Sequence, residues 1–360
     1  MHCAKQSSAK LYRIKTQIGA HMRTTALLLG AVLATVSMST PARAATMYGA
    51  LSNFDAINDT GTTAHGFEIE LDGCLPSNVL YTFGSPYNRY GTPTITTDGT
   101  NTFVRYESAY SNGTWAVGTD TGTYAPTGGH SLFFPQYGGA AAYPNVPGDH
   151  FGVGTNVTPT NTVYHWMVDG GNGTLANFGS SVKIPAPVFA VVAPANPVNP
   201  AGVQAVIQAP PPEVGQQMAD AIWAKTFITV VQNAGPVNLN DLVLGNAAVP
   251  PETETEIEWQ LLQSNPARPD LAEKLDVGDL VGANESITRR YEFYKYTGAY
   301  DPENHEALNE AYDPLYVGNF LGNQNAAANF AVPEPSSFVL CLASLSGLGL
   351  VTLRKRFRRG

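Results

Sequence analysis

Phe67-Glu-Ile-Glu-Leu71 alternates apolar and acidic side chains, the two-residue period of a strand with one buried face. Val79–Phe83, Thr102–Tyr106 and Val163–Val168 read the same way. Turn signals stand between these runs: Asn58-Asp-Thr-Gly61, Asp98-Gly99, Asn112-Gly113 and Asp169-Gly-Gly-Asn-Gly173. Further on, Pro187–Val192, Val203–Ile207, Ile222–Val231 and Glu256–Leu262 predict more strands, Ile222–Val231 being dominated by β-branched and aromatic residues. In Ser286–Tyr296, Ile287, Tyr291 and Phe293 share one face, and Thr288, Arg290 and Glu292 share the other. A short helix is expected at Pro269–Leu275, with Asp270 as its cap. The expected fold class is mainly all-β: two β-sandwich-like modules, the second immunoglobulin- or fibronectin-like, with a signal helix at the N-terminus and a transmembrane helix at the C-terminus.

Composition adds boundaries. With 43 % hydrophobic residues in 360, the chain is too apolar to be disordered throughout. Its 35 glycines and 26 prolines argue for many turns and few long helices. The Pro-rich stretch from Ile184 to Pro212 divides a β-rich N-terminal module, 45–184, from a second module, 185–318. Residues 319–332 are expected to be a flexible spacer.

Charge is segregated. Residues 1–44 hold six Lys or Arg and no acid, and residues 336–360 hold five and again no acid. The net charge of −9 therefore hides a body, 45–335, with a net of −20. So acidic a body excludes a basic nucleic-acid binder. Arg23, the apolar run Ala26–Val36 and the small residues Ala42 and Ala44 before Ala45 have the order of a secretory signal, 1–44, cut by signal peptidase after Ala44. Met1 and Met22 are both candidate starts, and the second gives a leader of usual length. At the other end, Phe338–Leu353 would span about 24 Å as a helix. Arg354, Lys355, Arg356, Arg358 and Arg359 follow it and would stay in the cytoplasm by the positive-inside rule.

The triplet Pro333-Glu334-Pro335, the apolar segment and the basic cluster, in that order over 333–360, resemble the PEP-CTERM sorting signal of exported bacterial proteins. The resemblance implies an exosortase substrate. Such a chain is held transiently in the inner membrane and processed near the triplet. It then reaches the cell surface or extracellular matrix of a Gram-negative bacterium, with extracellular polysaccharide as a candidate partner. The alternative is a permanent tail anchor. Phe54–Leu71 and Arg289–Gly298 resemble, more loosely, two-part exported bacterial proteins, which implies the same division and no particular activity.

Candidate chemistry is sparse. The nucleophile-elbow, H-E-x-x-H, Walker A and Rossmann patterns are missing. Cys74 reads as a small buried residue. His65, His130 and His150 each sit beside Gly or Asp and form a candidate zinc set, with Glu68 or Asp149 as a carboxylate ligand; the alternative is ordinary hydrogen-bonded histidines. Asp55, Asp59, Asp98, Asp120 and Asp169 lie in Gly/Asn/Thr-rich segments that suit calcium, and they equally serve solubility. Glu68 and Glu70 share a strand face, whereas glycoside hydrolysis needs carboxylates opposed across a sugar. Tyr81, Tyr87, Tyr90, Tyr106, Tyr110, Trp115 and Tyr124 are candidates for a glycan-binding surface or for core. The leading expectation is an exported, non-enzymatic structural or adhesive protein without an assigned cofactor. A secreted metal-dependent or carbohydrate-active hydrolase and a permanently anchored periplasmic protein are the alternatives.

Overall fold

In the computed structural model, residues 46–84, 87–126, 146–192, 202–212, 215–229, 254–264 and 286–331 are described. The signal with Ala42, Ala44 and Ala45, the helix expected at Pro269–Leu275, His130, and the tail with Pro333, Glu334, Pro335 and its five basic residues lie outside them. Among the described residues no helix is long and apolar enough to cross a membrane.

The described chain is mostly strand. In order these are β1 (Thr46–Ile57), β2 (Ala64–Asp72), β3 (Val79–Thr82), β4 (Thr94–Thr97), β5 (Thr102–Glu107), β6 (Tyr110–Ser111), β7 (Thr114–Trp115) and β8 (Gly148–Thr155). Then follow β9 (Asn161–Gly171), β10 (Thr174–Asn177), β11 (Val188–Val192), β12 (Gly202–Val206), β13 (Ile222–Thr229), β14 (Glu254–Leu262), β15 (Ser286–Tyr296) and β16 (Val317–Ala331). The turn signals fall where expected: Asn112-Gly113 and Asn172-Gly173 take left-handed backbone in the β6–β7 and β9–β10 hairpins. A seven-stranded sheet has the order β14-β13-β15-β16-β1-β8-β3, and a five-stranded sheet has the order β10-β9-β2-β5-β4.

The two sheets share one core. Phe54 and Phe151 of the larger sheet meet Phe67, Tyr164 and Trp166 of the smaller. Phe54 stacks on Tyr164 at 4.2 Å and Phe67 stacks on Phe151 at 4.0 Å. Tyr291, Phe293, Ile222 and Leu262 extend the core along the larger sheet. Each of these aromatic side chains contributes roughly 2–3 kcal/mol by leaving water. In the middle of the interface the Tyr164 hydroxyl sits 2.8 Å from Ser52 Oγ, and the Gln324 amide donates to Ser52.

Two expectations about organisation are corrected. Strands from 45–184 (β1, β3, β8) and from 185–318 (β13, β14, β15) share the seven-stranded sheet, and the described residues fall in one compact unit. The Pro-rich stretch thus links parts of one sheet rather than two separate sandwiches. Strands β13–β15 continue that sheet, and among the described residues no separate immunoglobulin-like module is seen. The expected spacer is β16, hydrogen-bonded between β1 and β15 over most of its length. Its Gly, Asn and Ala residues have low strand propensity, and pairing on both sides overrides it.

Candidate functional site

Strand alternation gives the seven-stranded sheet a second face, turned away from the aromatic core. Register aligns its side chains in rows. One row runs His150, Asp55, Asn323, Glu292, Lys225, Trp259 across β8, β1, β16, β15, β13 and β14. The next runs Gly152, Asn53, Asn325, Arg290, Phe227, Ile257. From Asn53 to Arg290 and from His150 to Glu292 these polar side chains are all buried, none more than 9 % exposed. Burying so many polar groups is costly unless they are partnered.

Most of them are. Asp55 takes one hydrogen bond from Asn323 Nδ2 at 2.9 Å, and its other oxygen lies 2.6 Å from His150 Nδ1. Glu292 accepts from Arg290 at 2.8 Å and from the Tyr294 hydroxyl at 2.7 Å, with Lys225 Nζ at 3.7 Å. Burial, and then the neighbouring Glu292 carboxylate, push the Tyr294 phenol upward, so it stays a donor to that carboxylate. The Arg290 guanidinium lies 3.3 Å over the Phe227 ring and Lys225 lies 4.6 Å over the same ring, so both cations gain the ring's negative face. Asn53 and Asn325, directly opposed on β1 and β16, are less fully partnered. Among the described residues, Asn53 Oδ1 and both Asn325 amide atoms lack a hydrogen-bond partner.

Aromatic side chains bank this polar floor on both sides. On the β3 side, a Cβ on Gly152 would collide with the Phe83 ring and one on Gly154 with the Tyr81 ring. The two glycines are therefore what allows these rings to lie on the sheet. Phe83 also stacks near His150 at 6.2 Å, and Tyr87 joins at 5.7 Å from Phe83. On the β14 side Trp259 stacks on Tyr312 at 4.6 Å, with Tyr294 at 5.4 Å. Tyr312 is 44 % exposed, so this bank is open to solvent.

At the start of β8, Asp149 receives the backbone N–H groups of Arg89 and His150, and the Arg89 guanidinium lies 3.6 Å away. Burial pushes its carboxyl up to about 6, and Arg89 opposes that rise. Arg89 also donates to the Val146 and Gly148 carbonyls and to Thr119, which fixes the strand that carries His150.

The residues singled out as a zinc set are placed differently. His65, on β2, stacks on Trp115 at 5.3 Å and has Nδ1 2.9 Å from the Val117 carbonyl. His150 is on the other sheet, with Asp55. The expected carboxylates are engaged as well: Glu68 holds Arg105 and Asn177, and Asp149 holds Arg89. Among the described residues no group of three or more His, Cys, Asp or Glu is arranged to hold a metal ion. Of the calcium candidates, Asp55 is buried in the polar row, while Asp98, Asp120 and Asp169 accept hydrogen bonds from Thr100, Thr63 and Gly171 respectively. Glu70 lies beside Asp72 and Glu68; burial, then Asp72, raises its carboxyl. Tyr90 and Tyr106 are core, whereas Tyr110 and Trp115 pair at 4.8 Å on the β6–β7 hairpin and Tyr124 is exposed.

Sequence reasoning missed Asn53, Asn323 and Asn325. The signal lay in the alternation Asn53-Phe-Asp55 and Asn323-Gln-Asn325, polar at every second position, the first in a segment assigned no strand and the second in the expected spacer. Comparison with protein-family models, curated proteins and solved structures gave no match.

Proposed function

We propose that this protein is an exported, non-catalytic carbohydrate-binding β-protein with an adhesive or matrix role. The observation that carries the reading is the aromatic bank of Trp259, Tyr294 and Tyr312, open to solvent at Tyr312, along the edge of the polar sheet face. Aromatic faces suit the apolar side of a sugar ring, and amide, carboxylate and guanidinium groups suit its hydroxyls. Export rests on the charge-free-of-acid ends and on the PEP-CTERM-like order of Pro333-Glu334-Pro335, Phe338–Leu353 and the basic tail. In that reading signal peptidase and exosortase act on the chain in transit, and extracellular polysaccharide is the partner.

A glycan array probed with the full chain tests the binding. Saturable capture, weakened by Trp259→Ala and Tyr312→Ala, is the expected result; a blank array overturns it. Intact mass of the protein from cell envelope and medium tests the export. Loss of residues 1–44 and of 338–353 is expected, and retention of both ends in cytosolic protein overturns it. Retention of the tail alone supports permanent anchoring.

The Asp55–His150 pair at 2.6 Å favours a second reading, a carbohydrate-active hydrolase. Release of reducing ends from a captured glycan, abolished in Asp55→Asn, would replace binding by turnover.

A further inference from the structure

Resting on the carbohydrate reading, we infer that the chain carries a second ring-binding platform, Tyr110 with Trp115 on the β6–β7 hairpin, and so bridges two strands of a polysaccharide.

This platform is open to water and held from three sides. Tyr110 is 40 % exposed and Trp115 is half-buried, their rings 4.8 Å apart and tilted by 59°. On one side Trp115 stacks on His65 at 5.3 Å, and the His65 ring is fixed by Nδ1, which donates to the Val117 carbonyl at 2.9 Å. Within the hairpin, the N–H of Ala116 donates to the Ala109 carbonyl at 2.8 Å and that of Val117 to Ser108 Oγ at 2.9 Å. The third side is the β9–β10 hairpin: a Cβ on Gly173 would come within 2.4 Å of the Tyr110 ring, so the ring lies directly on that turn. Asn112-Gly113 and Asn172-Gly173 both take left-handed backbone, which lets two tight turns meet at one ring. A ring fixed beforehand loses little freedom on binding.

The rim points to a sugar rather than a protein. Among the described residues, Tyr110 is the one large apolar side chain exposed on these two hairpins. Around it Ser111, Asn112, Thr114, Asn172 and Thr174 are exposed, a set of hydroxyls and carboxamides that both donate and accept. A protein-docking surface groups exposed apolar side chains into a continuous patch. A sugar ring offers what this rim lacks and needs: C–H groups for one aromatic face, with hydroxyls around them.

The platform is separate from the one at Trp259 and Tyr312. Tyr110 and Trp115 follow β5 of the five-stranded sheet, whereas Trp259 is on β14, at the edge of the seven-stranded sheet. The smaller sheet packs on β1 and β8 through Phe54 and Phe151. From β1 to β14 is four strand steps, about 19 Å. One ring cannot touch both platforms. Two rigid platforms on one body hold a polymer with an avidity that neither has alone, and where they take different strands they cross-link them.

Calorimetric titration of the full chain with hexasaccharides of β-glucan, mannan, galactan and alginate counts the sites, and turbidity of mixtures with the parent polymers reads bridging. With at least one of these glycans, two hexasaccharides per chain are expected. Tyr110→Ala and Tyr312→Ala should each weaken one site at least about fivefold and leave the other, and either should abolish the turbidity. Tyr110→Phe keeps the ring and should keep both sites. Tyr110→Ala removes an exposed side chain, so an unchanged melting temperature separates lost binding from lost folding. A single site per chain, untouched by Tyr110→Ala, overturns the second platform and leaves the carbohydrate reading standing. Two sites without turbidity overturn bridging. Failure to bind any of the glycans overturns this inference and the carbohydrate reading together.

Discussion

The two faces of the seven-stranded sheet are made by the same strands and are almost equally buried, yet their chemistry is opposite. On one, Phe54 and Phe151 pack against the smaller sheet, and Tyr291 and Phe293 belong to the same apolar core. On the other, one residue along in each strand, stand Asp55, His150, Glu292 and Asn323. The first face is held by apolar burial, which needs only shape and volume. The second is held by specific pairings, and it keeps two asparagines for which the described chain supplies no complete set of partners. Burial alone therefore does not mark a core. The contrast teaches that one face of a sheet can be held by apolar packing and the other, equally buried, by polar pairing.

The contrast can be broken from its strongest side first. Phe54→Ala deletes a fully buried ring and should cost about 4 kcal/mol, read as a large drop in the urea midpoint. Glu292→Ala leaves Arg290 and Lys225 without their common carboxylate and should cost about 3 kcal/mol. Glu292→Gln should recover part of that loss, whereas a purely apolar face would show no such recovery.

Asp149 sharpens the comparison through pH. Its carboxyl rises from 3.8 to about 6 on folding, so the folded chain holds the proton more tightly. Stability from this group is full below the unfolded value and is lost as pH rises toward 6, by no more than about 3 kcal/mol. Asp149→Asn should flatten the stability–pH curve between those values, measured by denaturant unfolding of both proteins; parallel curves would contradict the assignment. The smallest effect belongs to Asn325→Leu, expected to change stability by less than about 1 kcal/mol or to raise it, read from the urea midpoint.

Several strands could be read from period alone. Phe67–Leu71, Thr102–Tyr106, Val163–Val168 and Ser286–Tyr296 fall in strands, as does Ile222–Val231 as far as Thr229, beyond which it lies outside the described residues, because large apolar residues mark one face of each. Within Ser286–Tyr296, Tyr291 and Phe293 enter the core as expected while Arg290 and Glu292 stand on the other face, although Arg289 shares the parity of the apolar pair. The candidate site was legible only in fragments. His150 and Asp55 were each noticed, but with other companions: His150 with His65, which lies on the other sheet, and Asp55 with loop aspartates. Nothing local to either residue says that β1 and β8 pair with Asp55 opposite His150.

Local chemistry thus decided that this chain is mainly β, where its hairpins turn, and which residues of its outer strands are apolar, since side-chain alternation and left-handed Asn-Gly turns act over a few residues. Packing decided the centre. β16, β1 and β8 lie side by side in the middle of the large sheet, and they are rich in Gly, Asn, Ala and Ser. Their glycines are cut to fit Phe83 and Tyr81, and their asparagines face one another across strands 270 residues apart in sequence. Such residues carry little strand preference of their own. Only neighbours brought from distant parts of the chain supply the hydrogen bonds and contacts that make them strands and place the polar face between its aromatic banks.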